Sequence, residues 1–230
     1  MPDYAATRDR VEDYFDRTAT KTWERLTSDA PVSGVRATVR AGRDKMRALM
    51  LAQLPEDLRG ARILDAGCGT GAMAIELAQR GADVVAVDIS PALVGIAERR
   101  MPPNLAGHIT WVAGDMLDAT SGGFDHALAM DSLIYYSAPD IAALLGKASA
   151  RINGKFVFTL PPRTPALMAM WRVGKLFPRA DRSPVMIPQR TAAVATALRV
   201  AGVKGRLVEV DRVKSGFYIS NALVFEGKAA

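Results

Sequence analysis

Between residues 61 and 160, short apolar runs alternate with amphipathic stretches, and the links between them are short. A chain written this way is restricted to a parallel sheet with helices laid on it, because each parallel strand needs a crossover before the next. The spacing predicts strands over 61–65, 83–87, 108–113, 125–130 and 155–160. It predicts helices over 70–80, from Ser90-Pro91 to about 101, and over 140–151. Val84, Val85 and Val87 leave no polar face, as expected of a strand covered on both sides. Gly81 stops the first helix, Ser90 caps the second with Pro91 at its first position, and Asn153-Gly154 turns the chain into the fifth strand.

The flanks read differently. Residues 1–58 form an N-terminal helical cap: Val11, Tyr14, Phe15, Thr18 and Thr22 give a partly apolar stripe, followed by Trp23 and Leu26. A second stretch over 35–54 carries Val39, Met46, Leu49, Met50 and Leu54 at helical spacing. Pro31 and Gly34 separate the two. Residues 59–230 form the main domain. Within it, 161–188 holds six prolines and reads as an insertion around a helix over 166–177, rich in Met, Trp and Leu. A helix over 191–201 and strands over 205–211 and 217–225 close the chain.

Composition excludes more than it assigns. No apolar run reaches the length of a membrane span, and the polar start lacks the apolar core of a signal peptide. The lone Cys68 cannot form an internal disulfide, which fits a reducing, cytoplasmic compartment. The net charge is +6, but the basic residues are spread from Arg8 to Lys228 without a block, so no nucleic-acid partner is expected. No cluster of His, Cys and carboxylates suggests a protein-bound metal. His108 and His126 fall on predicted strands and read as structural.

The chemistry starts where the first strand ends, at Asp65-Ala66-Gly67-Cys68-Gly69-Thr70-Gly71. A Gly-rich turn there serves either a dinucleotide or S-adenosylmethionine, and the glycines alone do not choose. Asp65 does. A carboxylate at that point repels a pyrophosphate and attracts the ammonium of a methionine group. Asp88 ends the second strand, where it can accept both hydroxyls of a ribose. Asp115 follows the third, where it can accept from an adenine amino group with Met116 packed on the ring. Met130-Asp131-Ser132 ends the fourth, beside the expected place of a donor methyl. Four such features in order, each at a strand's carboxyl end, point to S-adenosylmethionine.

These four blocks resemble the motifs of the class I methyltransferase superfamily. The flanks carry a narrower resemblance: Val11-Glu12-Asp13-Tyr14-Phe15-Asp16-Arg17-Thr18, Trp23-Glu24-Arg25-Leu26, Thr38-Val39-Arg40-Ala41-Gly42-Arg43, Met130-Asp131-Ser132-Leu133-Ile134-Tyr135-Tyr136, Gly174-Lys175-Leu176-Phe177-Pro178-Arg179 and Arg182-Ser183-Pro184 are similar to magnesium-protoporphyrin IX O-methyltransferases, above all those of anoxygenic phototrophic bacteria. The resemblance implies a Rossmann-like, doubly wound α/β fold with a seven-stranded sheet, the last strand antiparallel, N-terminal helices and a helical insertion after the fifth strand. It implies methylation of one propionate of Mg-protoporphyrin IX in bacteriochlorophyll synthesis, with S-adenosylhomocysteine as coproduct and magnesium carried by the substrate. It further implies the large porphyrin-carrying subunit of magnesium chelatase as a partner, and peripheral contact with the photosynthetic membrane.

On this reading the cofactor set is Tyr14, Asp65, Ala66, Gly67, Gly69, Gly71, Asp88, Ile89, Asp115, Met116, Met130 and Asp131. Trp23, Trp171 and Phe177 would wall the porphyrin; Arg40, Arg43 and Arg179 would face its carboxylates, with Arg36, Arg163 and Arg182 as further candidates. Tyr135, Tyr136 and Asp131 would orient the reacting carboxylate, which is already ionised at neutral pH and needs no strict base. Three other readings stay open: a methyltransferase for another small acceptor such as a quinone precursor, a non-catalytic binding module, and a nucleic-acid enzyme.

Overall fold

The computed structural model describes residues 4–16, 20, 24, 27, 34–116, 122–165, 167, 168 and 185–227. Most of the expected helix over 166–177, together with Trp23, Trp171, Phe177 and Arg179, lies outside them.

The described residues form one seven-stranded sheet in the order β3-β2-β1-β4-β5-β7-β6. The strands are β1 (Arg62–Ala66), β2 (Asp83–Asp88), β3 (His108–Ala113), β4 (His126–Ala129), β5 (Lys155–Leu160), β6 (Gly205–Ser215) and β7 (Tyr218–Gly227). The first five pair in parallel, and β7 runs antiparallel to both β5 and β6. The fold is therefore the doubly wound class that the alternation and the resemblance implied. The chain walks outward from β1 to β3, then returns to β4 on the other side of β1. This reversal opens a crevice at the carboxyl ends of β1 and β4.

The six helices of at least eight described residues are α1 (Tyr4–Tyr14), α2 (Gly34–Leu51), α3 (Ala72–Gln79), α4 (Pro91–Arg99), α5 (Ala138–Ser149) and α6 (Thr191–Val200). Successive residues of β1 and β2 feed opposite faces of the sheet. Ile63, Val84 and Ala86 join the core under α2 and α3, whereas Leu64, Val85 and Val87 join the one under α5 and α6. Both faces are covered, which is why these strands carry no polar stripe.

Helix α2 shows how sequence positions the future site. Gly42, Met46 and Met50, four residues apart, form its buried stripe, and the helix lies on β6 and β7. Gly42 permits close approach: a Cβ there would stand 2.7 Å from the Tyr218 ring. The opposite side keeps its charges and faces the carboxyl ends of the strands.

Several boundaries differ from expectation, and two of the differences have a local cause. Helix α5 starts before residue 140, because Ser137 accepts from the Asp140 N–H while the Asp140 carboxylate accepts from the Ser137 N–H. This reciprocal cap sets the start two residues earlier, with Pro139 in the first turn. The closing hairpin is also longer than predicted, since β6 pairs with β7 from Gly205 to Ser215 across the tight Gly216-Phe217 turn. Ser137→Ala should lower stability by about 1 kcal/mol, the usual worth of such a cap. It should shift the urea midpoint and leave the slope unchanged.

Candidate active site

The Gly-rich turn leaves β1 and lies over the end of β2. The N–H groups of Gly67 and Cys68 both donate to the Val87 carbonyl, at 2.8 and 2.9 Å. Gly67 has φ +81°, and a Cβ there would come within 2.4 Å of the Ser132 Cβ. The Ser132 hydroxyl in turn donates to the Ala66 carbonyl at 2.8 Å. Glycine is thus required because the exits of β1 and β4 touch at the switch point. A side chain at 67 would push them apart.

Two carboxylates sit behind this turn. Asp65 is 1% exposed, and its Oδ2 is buried with no hydrogen-bond partner among the described residues. Burial, then the charge of Asp88, push its pKa up to about 7, against a pull downward from the backbone of Ala74. Asp88 is held differently. Its Oδ2 accepts from the Gly69 N–H at 2.7 Å and its Oδ1 from the Ser90 N–H at 3.0 Å. Burial raises its pKa to about 6 in spite of those bonds. A carboxylate accepts about four hydrogen bonds, so Asp88 keeps capacity for hydroxyl donors, whereas Asp65 Oδ2 is an acceptor with nothing on it.

A cavity opens in front of both. One wall comes from α1 and the residues after it, through Tyr4, Arg8, Val11 and Phe15; another comes from α2, through Arg40, Arg43, Asp44 and Arg47. The α2 positions recur at helical spacing and share one face. Helix α1 is tied down at several points. The Tyr4 hydroxyl donates to Asp115 Oδ1 at 3.0 Å, and Arg8 stands 3.5 Å from Asp115 Oδ2. Tyr4 also stacks on Tyr136 with ring centroids 4.9 Å apart, and the Ser90 hydroxyl donates to Asp16. Arg47 bridges Glu76 of α3 at 2.5 Å and Asp44 at 2.7 Å.

Asp131 closes the floor. It adopts φ +57°, a left-handed conformation that costs a non-glycine residue energy unless its side chain is anchored. Its Oδ2 takes a 2.6 Å ion pair from Arg43. Its Oδ1 accepts from the hydroxyls of Tyr218 at 3.0 Å and Thr159 at 3.2 Å, while its own N–H donates to Thr159 Oγ1 at 2.8 Å.

Comparison with known proteins narrows this geometry to one family. Residues 129–226 match the family model of the magnesium-protoporphyrin IX methyltransferase C-terminus, and residues 63–153 match a general methyltransferase domain. The chain is 57% identical over 227 residues to the magnesium-protoporphyrin O-methyltransferase of Rhodobacter capsulatus, covering 98% of this chain and 99% of that one. The chain belongs to the magnesium-protoporphyrin O-methyltransferase family. The crystal structure of the Synechocystis magnesium protoporphyrin IX methyltransferase with bound SAH superposes with a TM-score of 0.79 at 27% identity, over 96% of this chain and all of that one. A ubiquinone biosynthesis O-methyltransferase of Xanthomonas oryzae is 34% identical, but over only 54% of each chain.

For a member of this family, the structure gathers most of the residues singled out by sequence. Asp65, Gly67, Gly69, Asp88, Ile89, Asp115, Met116, Met130, Asp131, Tyr135, Tyr136, Arg40 and Arg43 all line the cavity. Three of the expected cofactor set stand back from it. Ala66 is fully buried and reaches Ser132 through its carbonyl. Gly71 packs toward Trp111, 2.6 Å from where its Cβ would lie. Tyr14 meets Phe15 edge-on, with centroids 5.2 Å apart, and Phe15 rather than Tyr14 reaches the cavity. Arg36 and Arg163 do not line it either. Sequence reasoning passed over Tyr4, Arg8, Asp44, Arg47, Thr159 and Tyr218. For Asp44 and Arg47 a signal existed, since they continue the spacing of Arg40 and Arg43 around α2.

The raised pKa values of Asp65 and Asp88 make the stability of the chain depend on pH. An unfolded carboxylate titrates near about 4, so between roughly pH 4 and 7 the folded ligand-free chain holds more protons than the unfolded one. Their contribution to stability is complete below about pH 4 and is lost as the pH rises to about 7. His126, whose pKa is lowered by burial, acts in the opposite direction. Asp65→Asn should therefore gain stability relative to the parent chain as the pH goes from 5 to 8. A difference between the two proteins that does not change with pH in urea titrations would contradict the assignment.

Proposed function

We infer that this chain transfers the methyl group of S-adenosylmethionine to a propionate carboxylate of Mg-protoporphyrin IX, forming the monomethyl ester in bacteriochlorophyll synthesis. The donor half rests on the buried Asp65 oxygen at the switch point that lacks a partner among the described residues: an ammonium supplies the missing donor and favours the ionised carboxylate. The acceptor half rests on 57% identity through nearly the whole chain to the Rhodobacter protein. A quinone precursor as acceptor has weaker support, because the likeness to the ubiquinone enzyme covers about half the chain.

The residues fit the donor as follows. Asp65 takes its ammonium, with Gly67 and Gly69 allowing close backbone approach. Asp88 accepts its ribose hydroxyls beside Ile89. Asp115 and Met116 meet its adenine, and Met130 and Asp131 border its methionine end. When bound, it supplies a sulfonium-activated methyl for direct displacement by a carboxylate oxygen. The propionate is ionised at neutral pH, with a reference pKa near about 4.3 as for a Glu side chain. No side chain has to remove a proton, so the work of the protein is alignment and exclusion of water. Helix α1 supports exclusion by covering the carboxyl ends of β2 and β3. Burial pushes the Tyr136 pKa up to about 12, so Tyr136 remains protonated and serves as a donor or a stacking surface. Tyr135 lies next to it and edge-on to Phe15.

We assign the insertion 161–188 to the acceptor side and the segment 1–58 to a helical cap over the site, with Trp23, Trp171, Phe177 and Arg179 as porphyrin contacts and Arg40 and Arg43 facing its carboxylates. Magnesium arrives with the porphyrin. The large porphyrin-carrying subunit of magnesium chelatase is the proposed source of the substrate, since a flat apolar disc is poorly carried by water. Among the described residues no helix is long and apolar enough to cross a membrane. We propose a cytoplasmic location with peripheral contact at the photosynthetic membrane.

Incubation with Mg-protoporphyrin IX and methyl-labelled S-adenosylmethionine should put the label into a porphyrin monomethyl ester. Label appearing only in an added quinone precursor, or no transfer at all, would overturn the conclusion. Asp88→Ala should weaken S-adenosylmethionine binding tenfold or more in calorimetry, at about 1.5–3 kcal/mol per hydrogen bond to a charged group. Unchanged affinity would remove Asp88 from the ribose role.

A further inference from the structure

Asp131 raises a problem for the reaction just described, on which this inference rests. It is a carboxylate on the cavity floor, next to the point where β1 and β4 part, and the nucleophile is also a carboxylate. Two anions brought together in a cavity from which water is excluded repel strongly. The structure shows how the resident charge is managed. Three side chains from three different elements donate to Asp131: Arg43 from α2, Thr159 from β5 and Tyr218 from β7.

Each donor is fixed in turn. Thr159 is fully buried and bonds Asp131 twice, through the main-chain N–H and the carboxylate, so it locks the left-handed backbone and the side chain together. Tyr218 is clamped against Gly42, one residue before Arg43. Burial, and next the charge of Asp131, hold the Tyr218 phenol above its usual range, so it keeps its proton and donates it. The ring contact and the hydroxyl therefore set the position of α2 and of its arginine against the same carboxylate.

We propose that Thr159 and Tyr218 are positioning residues for methyl transfer: they absorb and aim the Asp131 carboxylate so that the cavity floor presents the Arg43 guanidinium, and not a bare anion, to the carboxylate end of the acceptor. Neither residue needs to touch the reacting atoms. Both lie in the segment 129–226, which matches the family model for porphyrin methyltransferases, and outside the segment 63–153, which matches methyltransferases in general. That division agrees with a role toward the acceptor and not toward the donor.

The test is steady-state kinetics of the full chain with Mg-protoporphyrin IX and S-adenosylmethionine. Tyr218→Phe keeps the ring against Gly42 and removes only the hydroxyl. It should lower kcat/KM for the porphyrin about tenfold, mostly through KM, with S-adenosylmethionine affinity within twofold of the parent. In an Asp131→Asn background the same change should cost less than twofold, because its partner is already altered. Thr159→Val should reproduce the loss, and Thr159→Ser should restore kcat/KM to within twofold. Parent-like kinetics in Tyr218→Phe, a loss confined to kcat, or an undiminished loss in the Asp131→Asn background would each overturn the proposal. Should Tyr218→Phe fail to fold, or Asp131→Asn be inactive, the Thr159 pair decides: equal impairment of Val and Ser overturns it. A parent chain that turns over while the variants are unaffected sinks this inference alone. One that makes no ester sinks the reading of the acceptor as well.

Discussion

The crevice between β1 and β4 is the constraint on which the rest of this molecule depends. Parallel strands joined by right-handed crossovers can extend a sheet in only one direction at a time. After β3 the chain reverses and lays β4 on the other side of β1. The two connections leaving β1 and β4 then diverge to opposite faces and leave a gap that no main chain can fill. Gly67 exists to let those exits touch at its base, and Asp65, Asp88, Asp115 and Asp131 sit around it because each ends, or follows, a strand that opens toward it.

The crevice treats its carboxylates unequally, and this bears on the proposed cationic donor. Asp88 has backbone donors, Asp115 has Tyr4 and Arg8, and Asp131 has Arg43, Thr159 and Tyr218. Asp65 Oδ2 has no hydrogen-bond partner among the described residues. A buried acceptor without a partner is destabilising, and on the proposed reading the ammonium of the donor offsets that deficit. The charged face of α2, meanwhile, lines the same cavity through Arg40, Arg43, Asp44 and Arg47. On the proposed reading the strand ends serve the donor, with Tyr4 and Arg8 of α1 fixing Asp115, and the charged face of α2 serves the acceptor.

The strand–helix order, the Gly-rich turn and the acidic strand ends were legible from residues 61–160 because each depends on local chemistry. A buried parallel strand must be apolar on both faces, a tight turn must carry glycine, and a carboxylate after a strand projects from the same edge as its neighbours. Helix α5 starts two residues before the position that periodicity gives it, because Ser137 and Asp140, three apart in sequence, cap its first turn reciprocally. Tyr14 and Phe15 share one apolar stripe, which marks both for packing but does not tell that Phe15, and not Tyr14, meets the cavity. Arg43 was expected at the acceptor from a resemblance, yet its partner Asp131 lies 88 residues away and could not be paired with it by spacing.

The sequence by itself determined the layer architecture, the Gly-rich turn and the four strand-end carboxylates, because periodicity and turn chemistry act over a few residues and survive without knowledge of the rest. Only the tertiary structure decided which of those carboxylates are satisfied. Asp131 meets donors 88, 28 and 87 residues distant, and Asp115 meets Tyr4 across 111. Contacts at such separations are set by how sheet and helices pack, and a hydroxyl on Thr159 or Tyr218 looks the same in sequence whether it faces solvent or anchors a buried charge.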